Sequence, residues 1–395
     1  MRQSLIGYLK RHPSLTELTW LAARLFLKIW GIFVPVRPKT MLFSSFGGRK
    51  FDDSPKAVYD EICRRPEFSD WTLTWAFTKP ERFTLSRGEK VQVDTLAFFQ
   101  ALLSSQVWVG NSGIDRGIGL KRKGVVRVET WHGAPLKKIC GEENNATVGR
   151  QKKHRGPLDG RTIRCAQSEF DRSVFQRVFH AEERAFLLCG LPRNDALFRY
   201  TPEDIAGIRE KLGIPVGKKA ILYTPTYREY LLDENHDTYI APPMDLAKWE
   251  AALGADYVLL FRAHYAVTAA LGLRETAFLR DVSRYPVLND LYAAADLMIS
   301  DYSSTFFDYS VLDRPMLCFA YDLEEYREKR GLYLDLAEAL PCPVDREEDT
   351  LLERIWTLDA EACSRRTRAF HQRFAPWEGR AAQAVVDEIE RRLSQ

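Results

Sequence analysis

Short apolar runs alternate along the chain with polar, capped stretches of helical period. In the first half, Thr40 to Phe46, Trp71 to Phe77, Val91 to Asp94, Gln106 to Gly110, Val125 to Thr130, Ile163 to Ser168 and Ala185 to Cys189 read as strands. Lys56 to Arg64, Leu96 to Ser104 and Glu169 to Phe179 read as the helices between them. The second half repeats the pattern. Lys219 to Tyr223, Tyr257 to Phe261, Leu297 to Ser300 and Met316 to Ala320 read as strands, and Leu246 to Leu253, Ala360 to Phe374 and Ala381 to Leu393 as helices. Such alternation predicts an α/β fold of doubly wound parallel sheets. Domain limits are expected near 1–37, 38–198, 199–375 and 376–395, the last being a closing amphipathic helix.

The stretch Asn289 to Ala320 carries the clearest unit. A buried-type strand, Leu297 to Ser300, runs into Asp301-Tyr302-Ser303-Ser304-Thr305, then a helix, then a second apolar run. The polar turn stands where a strand's carboxyl end meets a helix's amino end. Backbone N–H groups and the positive dipole end converge there and suit a phosphate. The plainer alternative is an ordinary capped helix in an α/β core. No glycine-rich phosphate fingerprint is present.

Trp131-His132-Gly133-Ala134-Pro135-Leu136-Lys137-Lys138 also follows a strand. A histidine there, beside a glycine and two lysines, suits a general base with phosphate-pairing cations. The alternative is a loop histidine bonded to backbone. Arg228, and Arg262 with His264, stand at further strand ends of the second half. Glu142 to Arg161, with Lys152, Lys153, His154 and Arg155, reads as a basic loop, and Leu231 to Pro243 as a polar excursion.

Leu18 to Val36 is the most apolar segment, but Arg24 and Lys28 interrupt it, so a spanning helix is not expected. Its tryptophans and flanking basic residues suit a helix lying in a membrane interface over residues 14–36. The alternative is a helix docked on the protein's own core.

The 395 residues carry 57 basic and 54 acidic side chains, a formal +3, so no strong nucleic-acid field is implied. Seven cysteines without a CxxC pair argue for buried thiols rather than a disulfide frame or zinc site.

Taken together, the segments 43–62, 130–139, 168–179, 190–197, 221–229, 261–265 and 287–319 resemble the CDP-glycerol glycerophosphotransferase family, the teichoic-acid primases and polymerases. The resemblance implies a GT-B architecture, two Rossmann-like domains facing a cleft, with the donor on the second and the acceptor on the first. It implies that His132 is the base and that His264 with Arg262 holds the donor diphosphate. By the same resemblance Ser303, Ser304 and Thr305 cradle that diphosphate and Asp308 contacts the ribose. Arg228 is expected to offset donor charge, with Asp301 beside it, and Lys137, Lys138, Asp53 and Ser54 to serve the acceptor side. Where the family tends to show Asp-Gly near the end, this chain has Glu378-Gly379.

The implied reaction moves an alditol phosphate from CDP-glycerol or CDP-ribitol to a hydroxyl of a lipid-linked saccharide, at the cytoplasmic face of the membrane, without metal or cofactor. Two alternatives stay open: a glycosyltransferase using a UDP-sugar, and a membrane-docked nucleotide-binding protein without catalysis. The residues leave open whether one unit or many are added, which acceptor is used, and the oligomeric state.

Overall fold

A computed structural model describes residues 13–144, 161–228, 230, 243–263 and 274–395. Two parallel sheets organise it. The first contains β1 (Arg37–Ser44), β2 (Thr72–Phe77), β3 (Glu89–Gln92), β4 (Ser105–Gly110), β5 (Val126–Glu129), β6 (Thr162–Ala166) and β7 (Phe186–Leu188). Their order is β3-β2-β1-β4-β5-β6-β7, and every pairing is parallel. The second contains β8 (Lys219–Thr224), β9 (Tyr257–Phe261), β10 (Leu279–Asp281), β11 (Leu297–Ser300), β12 (Met316–Phe319) and β13 (Val344–Asp345). Their order is β10-β9-β8-β11-β12-β13, again all parallel.

Both orders reverse direction at one point, between β1 and β4 in the first lobe and between β8 and β11 in the second. β2, β6, β8, β11 and β12 are buried on both faces and read as continuous apolar runs, whereas the edge strand β3 is largely exposed. Along β1, Met41 and Phe43 enter one core cluster and Leu42 the other, following the two-residue alternation of a strand.

Helix starts are set by side-chain caps. Thr95 accepts from the Phe98 amide, Ser168 from Asp171, and Asp359 from Ala362. Thr201 and Asp204 form a reciprocal capping box.

The closing helix, Ala381–Leu393, does not stand apart. Val385, Val386 and Ile389 are fully buried in the same cluster as Phe43 and Trp75, so this helix completes the first lobe. The Asp195 carboxylate accepts from the Ala381 and Ala382 amides at 2.9 and 2.8 Å, fixing its start.

The helix Pro13–Phe33 docks one side on the protein's own core. Leu27 is buried with Leu42, Leu102 and Trp108, and Arg122 donates to the Gly31 carbonyl at 2.6 Å and to that of Val34. On other sides Leu21, Leu25, Phe26, Ile29, Ile32 and Phe33 are exposed. No helix among the described residues is long and apolar enough to cross a membrane.

Candidate functional site

In doubly wound sheets, ligands collect outside the strand ends at the point of reversal. The first lobe builds that point from the ends of β1 and β4. After β1 the chain turns sharply through Phe46 (φ +47°), Gly47 (+64°) and Gly48 (+87°). The Phe46 amide donates to Asn111 Oδ1 at 2.8 Å and the Gly47 amide to Ser112 Oγ at 3.0 Å.

His132 reaches the same place from the end of β5. Its Nδ1 lies 2.8 Å from the Asn111 carbonyl oxygen. A carbonyl can only accept, so in the neutral ring Nδ1 carries the proton and the basic lone pair is on Nε2. The residue is exposed. Trp131 precedes it with φ +58°, a left-handed conformation that a bulky side chain rarely adopts. Stacking on the His132 ring (4.3 Å between centroids) and edge contacts with Phe175 and Phe179 hold it there.

The second lobe builds its reversal point from the ends of β8 and β11. Ser300 Oγ donates to the Thr224 carbonyl at 2.7 Å, and Thr305 Oγ1 donates to Ser300 Oγ at 3.3 Å. Ser303, Ser304 and Thr305 are partly exposed along this edge. Asp301 is fully buried beneath them. It accepts from the Thr226 amide with both oxygens (2.9 and 3.1 Å), from the Tyr302 amide at 2.6 Å and from Arg228 Nη1 at 2.9 Å.

Arg228 is likewise fully buried. Besides Asp301 it pairs with both oxygens of Asp322, at 2.7 and 2.8 Å, and its guanidinium lies over the rings of Tyr302 and Tyr326. Burial alone would disfavour its charge, but the two carboxylates outweigh that and hold its pKa above the ordinary guanidinium value. Asp301 and Arg228 are therefore a strut under the turn. The expectation that Arg228 faces a donor is corrected: its charge is matched and its surface is closed.

Arg262 is different. Among the described residues its guanidinium meets no carboxylate, and Nη1 donates to the Val282 and Tyr285 carbonyls at 3.0 and 2.8 Å. Burial lowers its pKa, partly offset by Tyr292 and by Asp52 of the first lobe. His264 lies outside the described residues, as do 145–160 of the basic loop and 231–242 of the polar excursion.

The two reversal points meet. Gly133 has φ +154°, and a Cβ built on it would stand 2.3 Å from Ser304 Oγ. Nearby, Arg193 joins the lobes: Nη1 donates to Asp53 Oδ2 at 2.9 Å and Nη2 to Asp308 Oδ2 at 2.7 Å. Asn194 Nδ2 takes the other oxygen, Asp308 Oδ1, at 2.9 Å. Asp308 is 2% exposed, so the expected ribose contact is corrected to an interlobe tie. Burial pushes Asp53 up, but Arg193 and the Ser54 amide outweigh it and hold its carboxyl below the usual range. Ser54 is fully buried, and its Oγ accepts from the Arg193 amide at 3.3 Å.

Lys137 and Lys138 lie in a second seam. Lys137 bridges Leu332, the Lys138 amide donates to the Gly331 carbonyl at 3.0 Å, and the Tyr333 amide donates to the Leu136 carbonyl at 2.9 Å. Lys138 Nζ donates to Asn144 Oδ1 at 2.9 Å. The segment carrying His132 is thus anchored to both lobes. Arg193 and Asn194 lie in the segment 190–197 that carries part of the family resemblance, but no local pattern marks them as interlobe contacts, because their partners are far away in sequence. A cavity of about 990 Å³ near Leu340, Leu358 and Phe370 includes none of these residues.

The family described as CDP-glycerol:poly(glycerophosphate) glycerophosphotransferase matches residues 27–391. The chain is 32% identical over 377 residues to the teichoic acid poly(glycerol phosphate) polymerase of Staphylococcus epidermidis, covering 91% of this chain and 52% of that protein. It is 32% identical over 362 residues to the teichoic acid glycerol-phosphate transferase of Staphylococcus aureus, covering 88% and 92%. The chain thus spans about half the length of the first relative and nearly all of the second. Its fold is similar to that of the wall teichoic acid polymerase TagF, with a TM-score of 0.81 and 26% identity over 100% of this chain and 99% of that one.

Proposed function

The chain belongs to the CDP-glycerol:poly(glycerophosphate) glycerophosphotransferase family, and from that premise we propose that it transfers glycerol phosphate from CDP-glycerol to an acceptor hydroxyl, releasing CMP, in teichoic-acid synthesis. The acceptor hydroxyl attacks the β-phosphorus; the bond from that phosphorus to the bridging oxygen breaks. One observation carries the reading: the basic nitrogen of His132 stands at the first lobe's reversal point, and the next residue touches the second lobe's Ser304.

In this reading His132 Nε2 takes the hydroxyl proton. The Asn111 carbonyl keeps the ring in the tautomer that leaves Nε2 basic. Arg262 and His264 offset charge on the diphosphate, and the hydroxyls of Ser303, Ser304 and Thr305 receive it. The buried Arg228–Asp301–Asp322 strut keeps that turn fixed, so little reorganisation is needed as charge develops. The lobes form a GT-B arrangement, with donor on the second and acceptor on the first.

The acceptor is lipid-linked in this proposal. The exposed Leu21, Leu25, Phe26, Ile29, Ile32 and Phe33, with Arg24 and Lys28 on the same helix, support docking of Pro13–Phe33 on the cytoplasmic membrane surface.

The test is product analysis with a lipid-disaccharide acceptor and CDP-glycerol, CDP-ribitol and a UDP-sugar in parallel. CMP release and one added glycerol-phosphate mass support the proposal. Transfer from the UDP-sugar alone overturns it.

A further inference from the structure

We propose that Arg193 is a positioning residue for the transfer, setting the gap between His132 and the Ser303–Thr305 turn, given that this gap is where transfer occurs. Arg193 lies in the short helical segment Pro192–Phe198, where the chain passes from one lobe to the other. Its side chain is 12% exposed. One planar guanidinium spans two carboxylates from different lobes, Asp53 at 2.9 Å and Asp308 at 2.7 Å. A lysine presents a single point of charge and does not reproduce that fork.

The two carboxylates are not arbitrary places. Asp53 opens the helix that follows β1, and Asp308 lies in the helix that follows β11. These are the strands beside the two reversal points. The backbone of Arg193 repeats the tie: its amide donates to Ser54 Oγ at 3.3 Å, and its carbonyl accepts from Asn289 Nδ2 at 2.6 Å. Asp53 has φ +63°, a conformation uncommon outside glycine, at the residue whose carboxylate meets Arg193. Arg193 Nη2 stands 3.8 Å from a Cβ built on Gly133. The guanidinium therefore lies beside the contact that closes the gap, and a shift of about 1 Å there costs on the order of 10² in rate.

The test uses Arg193→Lys and Asp308→Asn in the full chain. Three quantities are read: CMP release with acceptor, CDP-glycerol affinity by calorimetry, and ligand-free hydrogen exchange. In both variants turnover should fall at least about tenfold while affinity stays within about threefold. Exchange should quicken in peptides 131–136 and 303–306 and stay unchanged in β1 and β8. Unchanged exchange in those two peptides overturns the proposal. So does exchange that quickens uniformly, or affinity that falls in step with turnover. If the wild-type protein releases no CMP, the donor reading fails, and the exchange result still decides the role of Arg193.

Discussion

Gly133 and Ser304, one from each lobe, approach so closely that a methyl group on the first would stand 2.3 Å from the second's Oγ and 2.9 Å from its Cβ. Gly133→Ala should therefore push the lobes apart or displace His132, lowering turnover by on the order of 10². Ser304→Gly alone should lower turnover by removing a hydroxyl proposed to receive the diphosphate. It also removes the clash, so on that background Gly133→Ala should cost less than in wild type, the strained φ of +154° leaving part of the loss. Steady-state rates of the single and double variants check this. An equal cost of Gly133→Ala with Ser304 and with Gly at 304 would mean that contact with Ser304 does not matter.

Arg228 sits between Asp301 and Asp322 with no exposed surface. Arg228→Met should strand both carboxylates and cost about 3–5 kcal/mol of stability. Urea unfolding measures it. A variant of wild-type stability whose CDP-glycerol affinity collapses would return Arg228 to the donor site.

Much of this was legible in the chain, and the reason is local. The helices Leu96–Ser104, Glu169–Phe179, Leu246–Leu253, Ala360–Phe374 and Ala381–Leu393 fall where their periodicity placed them. Four of them begin at a side-chain cap, Thr95, Ser168, Asp245 or Asp359. β10 and β13 went unread because runs of 3 and 2 residues carry no period. The roles of Arg228 and Asp308 were not legible, since their partners lie 94 and 115 positions away and charge pairing over such spans has no local pattern. His132 was found by its neighbours, but the group that sets its tautomer is a backbone carbonyl, which every residue possesses. The closing helix looked separate because its burial is against strands from the other end of the chain.

Asp171 supplies a pH test. Burial raises its pKa from 3.8 to about 7, against a lowering from its Gln167 hydrogen bonds and a smaller raise from Asp308. The folded state thus binds a proton more tightly than the unfolded state between those values, and stability falls as pH rises through that window. Asp171→Asn removes the dependence. The variant should gain on wild type progressively from about pH 4 to 7 and hold a constant gain above about pH 8. Urea unfolding across pH checks it; a pH-independent difference would contradict it.

The exposed side of the helix Pro13–Phe33 should bind lipid. Replacing Leu25, Phe26 and Ile29 with glutamate should cut sedimentation with anionic vesicles by at least about tenfold, since each buried apolar side chain is worth roughly 1.5–3 kcal/mol. Turnover on a soluble acceptor should not change. Equal sedimentation of variant and wild type would contradict membrane docking through this helix.

The central claim is that one imidazole takes a proton between two lobes. Its most direct test is His132→Ala, with CMP release and CDP-glycerol affinity measured on the same sample. Turnover should fall by about 10²–10⁴ while affinity stays within about threefold of wild type. Turnover near wild type, or lost affinity with surviving turnover, would contradict the assignment.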